Sequence, residues 1–240
     1  MRLVQLTGVF LIALSVLLSL GPNAHAQQSG LPLLPEQGHA DWTAIGRLNI
    51  AGFRTRRACT GTLIAPRWVL TAAHCVIRRD STTEPPGNVH FVAGWLRGNF
   101  VWHSPAKSVH LHPDIARGPA ADVALIKLQN SAPKEVVQPI KLGMPSARTD
   151  TTNAIIGYQH SRDAMLSAAF DCPLTQAQGP VRILNCPVIP GLSGSPVLSR
   201  TPKGWQVNAV VSARVEHGGH AQALVVAPGI WASETTDQSP

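Results

Sequence analysis

The chain has 240 residues, of which 44% are hydrophobic and 14% are charged, and its formal net charge is +7. The basic residues are scattered, apart from a group at positions 54, 56 and 57, so the charge pattern argues against a nucleic-acid partner. A net positive charge of this kind favours contact with anionic surfaces or acidic substrates.

Residues 1–26 have the layout of a secretory signal peptide. Arg2 gives a positive start, residues 9–20 are apolar, and residues 24–26 form a small-x-small cleavage signal. The alternative is a membrane anchor, but the apolar run is shorter than the ~20 residues that a span needs. We expect cleavage after Ala26, no membrane span, and a secreted or periplasmic protein. Without Arg2, 19 basic and 13 acidic residues leave a charge of +6.

Export places the four cysteines in an oxidising compartment, where an even number indicates disulfides. Three pairings are possible, and local spacing favours Cys59–Cys75 and Cys172–Cys186. Each bridge would close a loop of about 15 residues, worth on the order of 3 kcal/mol in the chain-entropy model. A zinc site is the rival interpretation, but the sequence contains no Cys-x-x-Cys pair.

The remaining chain predicts short strands. Residues 27–41 are rich in Gln, Gly and Pro and are predicted to form a flexible lead-in or short pro-segment. The first set of predicted strands is Ala44–Ile50, Ala58–Ile64, Trp68–Thr71, Val89–Ala93, Ser108–His112 and Val123–Leu128. The second set is Asn153–Tyr158, Ala168–Cys172, Val181–Asn185, Pro196–Ser199, Trp205–Ser212 and Leu224–Ala227. This pattern predicts an all-β fold of two six-stranded antiparallel barrels, over residues 42–135 and 136–235.

The stretch LTAAHC (70–75) places His74 directly after an apolar strand and beside Cys75. An imidazole both accepts and releases a proton near pH 7, which suits a general base. Such a base needs a fixed tautomer, and a carboxylate on its second nitrogen supplies one. Asp122, at the head of the apolar run ADVALIKL (121–128), is the candidate; taken alone, it also fits a simple strand-start cap.

The stretch PGLSGSPV (190–197) places Ser193 between Gly191 and Gly194. A loop of small residues turns sharply and presents backbone N–H groups to a ligand. The N–H groups of Gly191 and Ser193 are therefore predicted to form an oxyanion hole. Taken alone, the same stretch also fits an ordinary Gly/Ser/Pro turn.

Together these stretches resemble the trypsin/chymotrypsin-like serine proteases, and most of all their secreted bacterial branch. The residues that carry the resemblance are CTGTLIAPRWVLTAAHC (59–75), DVALIKL (122–128), GLSGSPV (191–197), VVSA (210–213) and APGIW (227–231). The resemblance implies a double barrel with the active site between its halves. It also implies that His74 is the general base, Asp122 its orienting carboxylate, Ser193 the nucleophile and Ser212 a support for Asp122.

The chain order His, Asp, Ser argues against an α/β-hydrolase, which runs Ser, Asp/Glu, His and carries G-x-S-x-G. Ser195 is an alternative nucleophile, but the resemblance places a small structural residue there. Animal members of the family carry an aspartate just before the nucleophile, which pairs with a newly cleaved amino terminus. Leu192 occupies that position, so we expect an oxyanion loop that forms without an inserted terminus.

The resemblance places the substrate pocket near Pro187, with Ala213, Arg214 and Gly229 at its border. The absence of an aspartate at Pro187 makes a strict Lys/Arg preference unexpected. Arg214 would either attract an acidic side chain or cover the rim. Val211 stands where glutamyl endopeptidases would carry a pocket histidine, which leaves glutamate specificity a minor alternative.

The sequence thus predicts a monomeric serine endopeptidase that acts on proteins or peptides and needs no cofactor or metal. The rival functions are an inactive relative that binds peptides or envelope polyanions, and an esterase with the same mechanism. His110 and His112 alternate along one predicted strand and are a candidate metal pair, although an exposed strand face explains them as well. Glu216, His217 and His220 are predicted to form a solvated hairpin tip.

Overall fold

The computed structural model describes residues 30–50, 57–143, 152–217 and 219–237. The predicted signal peptide and two of the three clustered arginines, Arg54 and Arg56, lie outside these residues. The first unit contains the strands β1 Ile45–Ile50, β2 Ala58–Ala65, β3 Trp68–Thr71, β4 Val89–Ala93, β5 Trp102–Leu111 and β6 Ala124–Leu128. Its 3-10 turns are Glu36–Trp42, Ala73–Cys75, Pro86–Asn88, Ile115–Arg117 and Pro119–Ala121.

The six strands close into an antiparallel barrel in the order β1-β2-β3-β6-β5-β4, because β1 pairs with both β2 and β4. All four residues of β3 are buried. This burial explains why Trp68, Val69 and Leu70 form an apolar run. Phe91, Leu63 and Ile126 are among the fully buried side chains of the barrel interior.

The second unit contains the strands β7 Asn153–Gln159, β8 Arg162–Ala169, β9 Leu174–Gln178, β10 Val181–Leu184, β11 Pro196–Thr201, β12 Gly204–His217 and β13 His220–Val226. They form an antiparallel sheet in the order β8-β7-β11-β12-β13-β10-β9. The structure thus confirms the predicted double-barrel class, although the second unit has seven strands. The extra strand, β9, exposes four of its five residues and lacks the apolar pattern that predicts a strand.

Residues 30–42 differ from the predicted flexible lead-in because residues 32–34 pair with β8 and Trp42 packs against Phe170 and Trp205 of the second unit. Leu34 N–H donates to Leu166 O at 3.0 Å, and Ala168 N–H donates to Pro32 O at 2.8 Å. Leu31 is fully buried. The sequence of this segment is rich in Gln, Gly and Pro, and Leu31 and Leu34 are buried because the second unit supplies an apolar surface, whereas Leu33 stays exposed.

The last element of the described residues is a helix that the sequence pattern does not predict, α1 Gly229–Asp237. Only Ala232 of this helix is buried, so the apolar periodicity is weak. Among the described residues, no helix has the length and apolar character needed to cross a membrane.

Both predicted disulfides are confirmed. Cys59 is bonded to Cys75 and Cys172 to Cys186, with Cα–Cα distances of 6.2 and 5.3 Å. The first bridge joins β2 to the turn that carries His74. The second ties the segment after β8 to the segment after β10.

Candidate active site

A cleft of about 430 Å³ lies between the two units. The first unit lines it with His74 and the Cys59–Cys75 bridge, and the second unit lines it with Gly191, Ser193 and Ser212. The cleft therefore gathers side chains that are far apart in sequence.

Asp122 holds His74 with both carboxylate oxygens. Oδ2 lies 2.7 Å from His74 Nδ1, and Oδ1 accepts the backbone N–H of His74 at 2.8 Å. His74 belongs to the 3-10 turn after β3, and Asp122 follows the 3-10 turn before β6, the neighbour of β3 in the barrel. The pairing of β3 with β6 thus brings the two residues together.

Ser212 lies at an irregularity in the pairing of β12 with β13. The register shifts between Val211 and Ala213, so Ser212 has no opposite residue in the ladder. Such bulges re-aim side chains, and the hydroxyl of Ser212 donates to Asp122 Oδ2 at 2.5 Å. Asp122 Oδ2 therefore contacts His74 of the first unit and Ser212 of the second.

The surroundings of Asp122 keep it ionised. Burial by itself raises the pKa of this carboxyl, but the hydrogen bond and positive charge of His74, together with the Ser212 hydroxyl, outweigh it and hold the pKa below its ordinary value. An ionised carboxylate only accepts hydrogen bonds. Nδ1 of His74 must therefore carry a proton, and in the neutral ring Nε2 has a free lone pair.

The loop that carries Ser193 fixes the direction of two backbone N–H groups. His160 N–H donates to Pro190 O, and Ser195 N–H donates to Leu192 O, both at 2.9 Å. In a trans peptide the C=O and N–H point in opposite directions, so the N–H groups of Gly191 and Ser193 point away from those partners. Across the described part of the chain, neither group donates a hydrogen bond.

Gly191 has a φ of +100°, a left-handed value that side-chain-bearing residues rarely adopt. An added Cβ would lie 2.6 Å from His160 N and 2.8 Å from Tyr158 O. The glycine is thus required both by the turn and by the close approach of β7.

The two serines of the loop differ in solvent exposure. Ser193 is half-buried and lines the cleft, whereas Ser195 is fully buried against Gly157. Ser195 is therefore shielded from a substrate. Within the described residues, no hydrogen bond joins Ser193 to His74, and His74 Nε2 lies 3.9 Å from Cys75 Sγ.

Comparison with known proteins assigns the family. A sequence model described as Trypsin matches residues 36–181, more than half of the chain. The chain belongs to the trypsin family. The matched range of this trypsin-family protein contains His74 and Asp122 and ends before Ser193.

Three animal proteins are similar to part of this trypsin-family chain. Coagulation factor XII of Bos taurus is 33% identical over 140 residues, which cover 51% of the chain and 21% of the relative. Granzyme E of Mus musculus is 31% identical over 140 residues, which cover 58% of the chain and 53% of the relative. Phenoloxidase-activating factor 3 of Holotrichia diomphalia is 31% identical over 131 residues, which cover 47% of the chain and 36% of the relative. The similarity thus spans about half or less of each relative.

The predicted pocket residues of this trypsin-family chain divide into two groups. Ala213 and Arg214 line the cleft, whereas Pro187 and Gly229 are not among its lining residues. Gly229 begins α1 and borders a separate cavity of about 250 Å³. The reason is that the chain turns into a helix after β13, which carries Gly229 away from the cleft.

Several residues of the cleft were not predicted from sequence. They are Ile50, Arg57, Ala58, His160, Val188 and Ile189. Val188 and Ile189 directly precede the Ser193 loop, so their chain position was an available signal. Arg57 and His160 reach the cleft only through tertiary structure, and no local pattern marks them.

The histidines considered as a metal pair have different surroundings. His110 Nε2 lies 2.8 Å from Ser108 Oγ, and the ring packs edge-on against Trp68. His112 lies beyond β5, accepts the N–H of Asp114 at 3.2 Å and packs against Trp231. In the described residues, the one group of three possible metal ligands is Cys59, His74 and Cys75, and both of its cysteines are oxidised in a disulfide.

Proposed function

We propose that this protein is a serine endopeptidase that cleaves proteins or peptides outside the cytoplasm. The observation that carries the proposal is the two-oxygen contact of Asp122 with His74, in a cleft that also holds Ser193. That contact leaves Nε2 of a neutral His74 ring without a proton, which is what a general base for a serine hydroxyl requires.

In the proposed reaction, Ser193 Oγ attacks the carbonyl carbon of the substrate while His74 Nε2 takes the hydroxyl proton. The tetrahedral intermediate then breaks its C–N bond, and the leaving amine receives that proton from His74. Water attacks the acyl-enzyme by the same route, with His74 first accepting and then returning a proton to Ser193. Asp122 remains ionised throughout and stabilises the imidazolium.

The N–H groups of Gly191 and Ser193 are proposed to bind the developing oxyanion. Their orientation is held by the backbone before any substrate arrives, so little reorganisation is needed during the reaction. One such donor typically contributes a factor of about 10² to 10³ in rate. Ser212 is proposed to support the carboxylate from the second unit.

The proposed oxyanion loop forms without an inserted amino terminus. Leu192 is fully buried in the apolar cluster that also contains Leu31, and the carbonyls beside the two donors are held by backbone N–H groups. Protein with the natural mature start and protein with an added amino-terminal extension are expected to acylate Ser193 equally. Loss of acylation in the folded extended form would refute this part of the proposal.

The proposed location rests on the two disulfides and on the predicted signal peptide. The proposed kinship with secreted bacterial members rests on the sequence GLSGSPV and on Leu192. The proposed substrate side chain is uncharged, because Val188, Ile189 and Val211 line the cleft beside Ser193.

A fluorophosphonate probe tests the catalytic assignment. The wild-type protein should be labelled at Ser193 and the Ser193→Ala variant should not. An unlabelled but folded wild-type protein would overturn the proposal in favour of a binding protein of the same fold. Cleavage of a peptide library then separates a protease from an esterase and shows which side chain the cleft prefers.

A further inference from the structure

Thr60 of the first unit forms hydrogen bonds with the Ser193 loop of the second unit. It lies in β2, is fully buried, and directly follows Cys59, whose disulfide partner Cys75 is adjacent to His74. Its backbone N–H donates to Ser193 O at 2.9 Å. The same short segment therefore contacts the nucleophile loop and, through the disulfide, the turn that carries the base.

The side-chain hydroxyl of Thr60 makes two further contacts with the second unit. Tyr158 N–H donates to Thr60 Oγ1 at 3.0 Å, and Oγ1 lies 3.3 Å from Gly191 O. An amide N–H only donates, so the hydroxyl must accept from Tyr158. Its single proton is then available to Gly191 O.

Through this proton, the Thr60 hydroxyl donates to the peptide unit that lies between the two oxyanion donors. The donors are Gly191 N–H and Ser193 N–H, and the unit between them joins Gly191 C=O to Leu192 N–H. Within the loop this unit is held at one end, where Leu192 N–H donates to Ile189 O at 3.2 Å. Thr60 holds the other end from outside the loop.

Contacts with Thr71 and Gly157 restrict the position of Thr60. Thr71 Oγ1 donates to Thr60 O at 2.8 Å. At Gly157, an added Cβ would lie only 2.9 Å from Thr60 Oγ1 and 1.9 Å from Ser195 Oγ. A glycine on β7 is thus needed for the hydroxyl to reach both partners.

We infer that Thr60 is a positioning residue, whose hydroxyl keeps the two oxyanion donors aligned with Ser193 by fixing the peptide unit between them. The inference rests on the proposed endopeptidase function and adds a residue to its machinery. Thr60 is not among the residues that line the cleft, so it acts only through the loop.

Three variants of Thr60 separate the effect of the hydroxyl from that of the methyl group. Thr60→Val and Thr60→Ala lack the hydroxyl, whereas Thr60→Ser retains it, and Ala and Ser share the loss of the methyl. Thr62→Val is the matched control, because Thr62 lies two residues along β2, is equally buried, and its hydroxyl has no partner among the described residues. All variants are compared at the same degree of folding, judged by circular dichroism and Tm.

The first readout is the reaction with a fluorophosphonate probe, separated into its maximal inactivation rate and its half-saturating concentration. Loss of the hydroxyl should lower the maximal rate by about ten- to hundredfold, since small misplacements of reacting groups have effects of this size. The half-saturating concentration should stay constant. Thr60→Ser should recover most of the rate, and Thr62→Val should react like the wild type.

The second readout is amide hydrogen exchange at Leu192, which needs no activity. The hydroxyl-free variants should exchange faster there, and Thr62→Val should not. Unchanged exchange and rate in Thr60→Val and Thr60→Ala would overturn the inference. So would unfolding of both, because the hydroxyl would then act on general stability. A wild type that never reacts while Leu192 exchange still responds would refute the endopeptidase proposal alone.

Discussion

Asp122 contacts His74 at two separate atoms, the ring nitrogen Nδ1 and the backbone N–H. The backbone contact fixes where the residue sits, and the ring contact fixes which nitrogen carries the proton. Because a carboxylate accepts at both places, no other common side chain of this size reproduces the arrangement. This double contact makes Asp122 the residue whose replacement is most informative.

Asp122→Asn is expected to lower kcat by about 10³- to 10⁴-fold with little change in KM. An amide offers one acceptor and one donor group, so it cannot accept from both His74 atoms and favours the wrong ring tautomer. The measurement is peptide hydrolysis, with circular dichroism to verify folding. Activity within tenfold of the wild type would show that Asp122 does not set the tautomer.

The same residue makes stability depend on pH. Its folded-state pKa lies below the ordinary value of 3.8, so the ionised group stabilises the fold above about pH 4. This contribution is lost as the pH falls through the folded-state pKa. Urea unfolding of wild type and Asp122→Asn should therefore give free energies that differ at pH 6 and converge below about pH 4. A difference that stays constant down to pH 3 would contradict the lowered pKa.

The two disulfides provide a matched comparison. Replacing either cysteine pair by serine should cost about 3 kcal/mol of unfolding free energy, because the loops are nearly equal, at 16 and 14 residues of separation. Only the Cys59–Cys75 bridge is adjacent to His74. Its loss should also slow labelling by a fluorophosphonate, whereas loss of Cys172–Cys186 should leave the labelling of the folded fraction almost unchanged. Equal slowing in both variants would argue against a positioning effect of the first bridge.

Much of this site could be predicted from local sequence, and the reasons are physical. His74 and Asp122 follow or precede short apolar strands that are buried, and burial leaves a clear apolar run. The cysteine pairings follow from two separations of about 15 residues. The Ser193 loop is marked by glycines, which its backbone geometry requires.

The rest depends on contacts that no local pattern encodes. Thr60 and Thr62 are both buried threonines of β2, and only the fold decides that one hydroxyl meets the Ser193 loop while the other meets no partner among the described residues. β9 is polar because it lies at the edge of its sheet with most residues exposed. Gly229 was placed in the pocket by resemblance, but α1 begins there and leads the chain elsewhere.

Arg214 gives a prediction about specificity. It lines the cleft, and its guanidinium is paired with Glu216 two residues along β12. Both side chains are exposed, so the pair contributes little to stability. Glu216→Gln should release the guanidinium and increase kcat/KM for peptides with acidic side chains about threefold or more, with the unfolding free energy changed by less than about 0.5 kcal/mol. The double variant with Arg214→Ala should lose this gain, and a gain that persists would place its origin elsewhere.

Leu192→Asp tests whether the loop tolerates the aspartate that the resemblance implies at this position in animal members of the family. The side chain of Leu192 is fully buried in an apolar cluster with Leu31, Val188 and Val211. An isolated carboxylate is costly in such surroundings, so Leu192→Asp should lower the unfolding free energy at pH 7 by about 3 kcal/mol or more. Burial would raise the pKa of the new carboxyl, and the loss should therefore shrink as the pH falls toward 4. Leu192→Met keeps the volume and should cost less than about 1.5 kcal/mol. A Leu192→Asp protein as stable as the Met variant at pH 7 would reveal a cationic partner for this position and would revive an inserted amino terminus as the means of forming the loop.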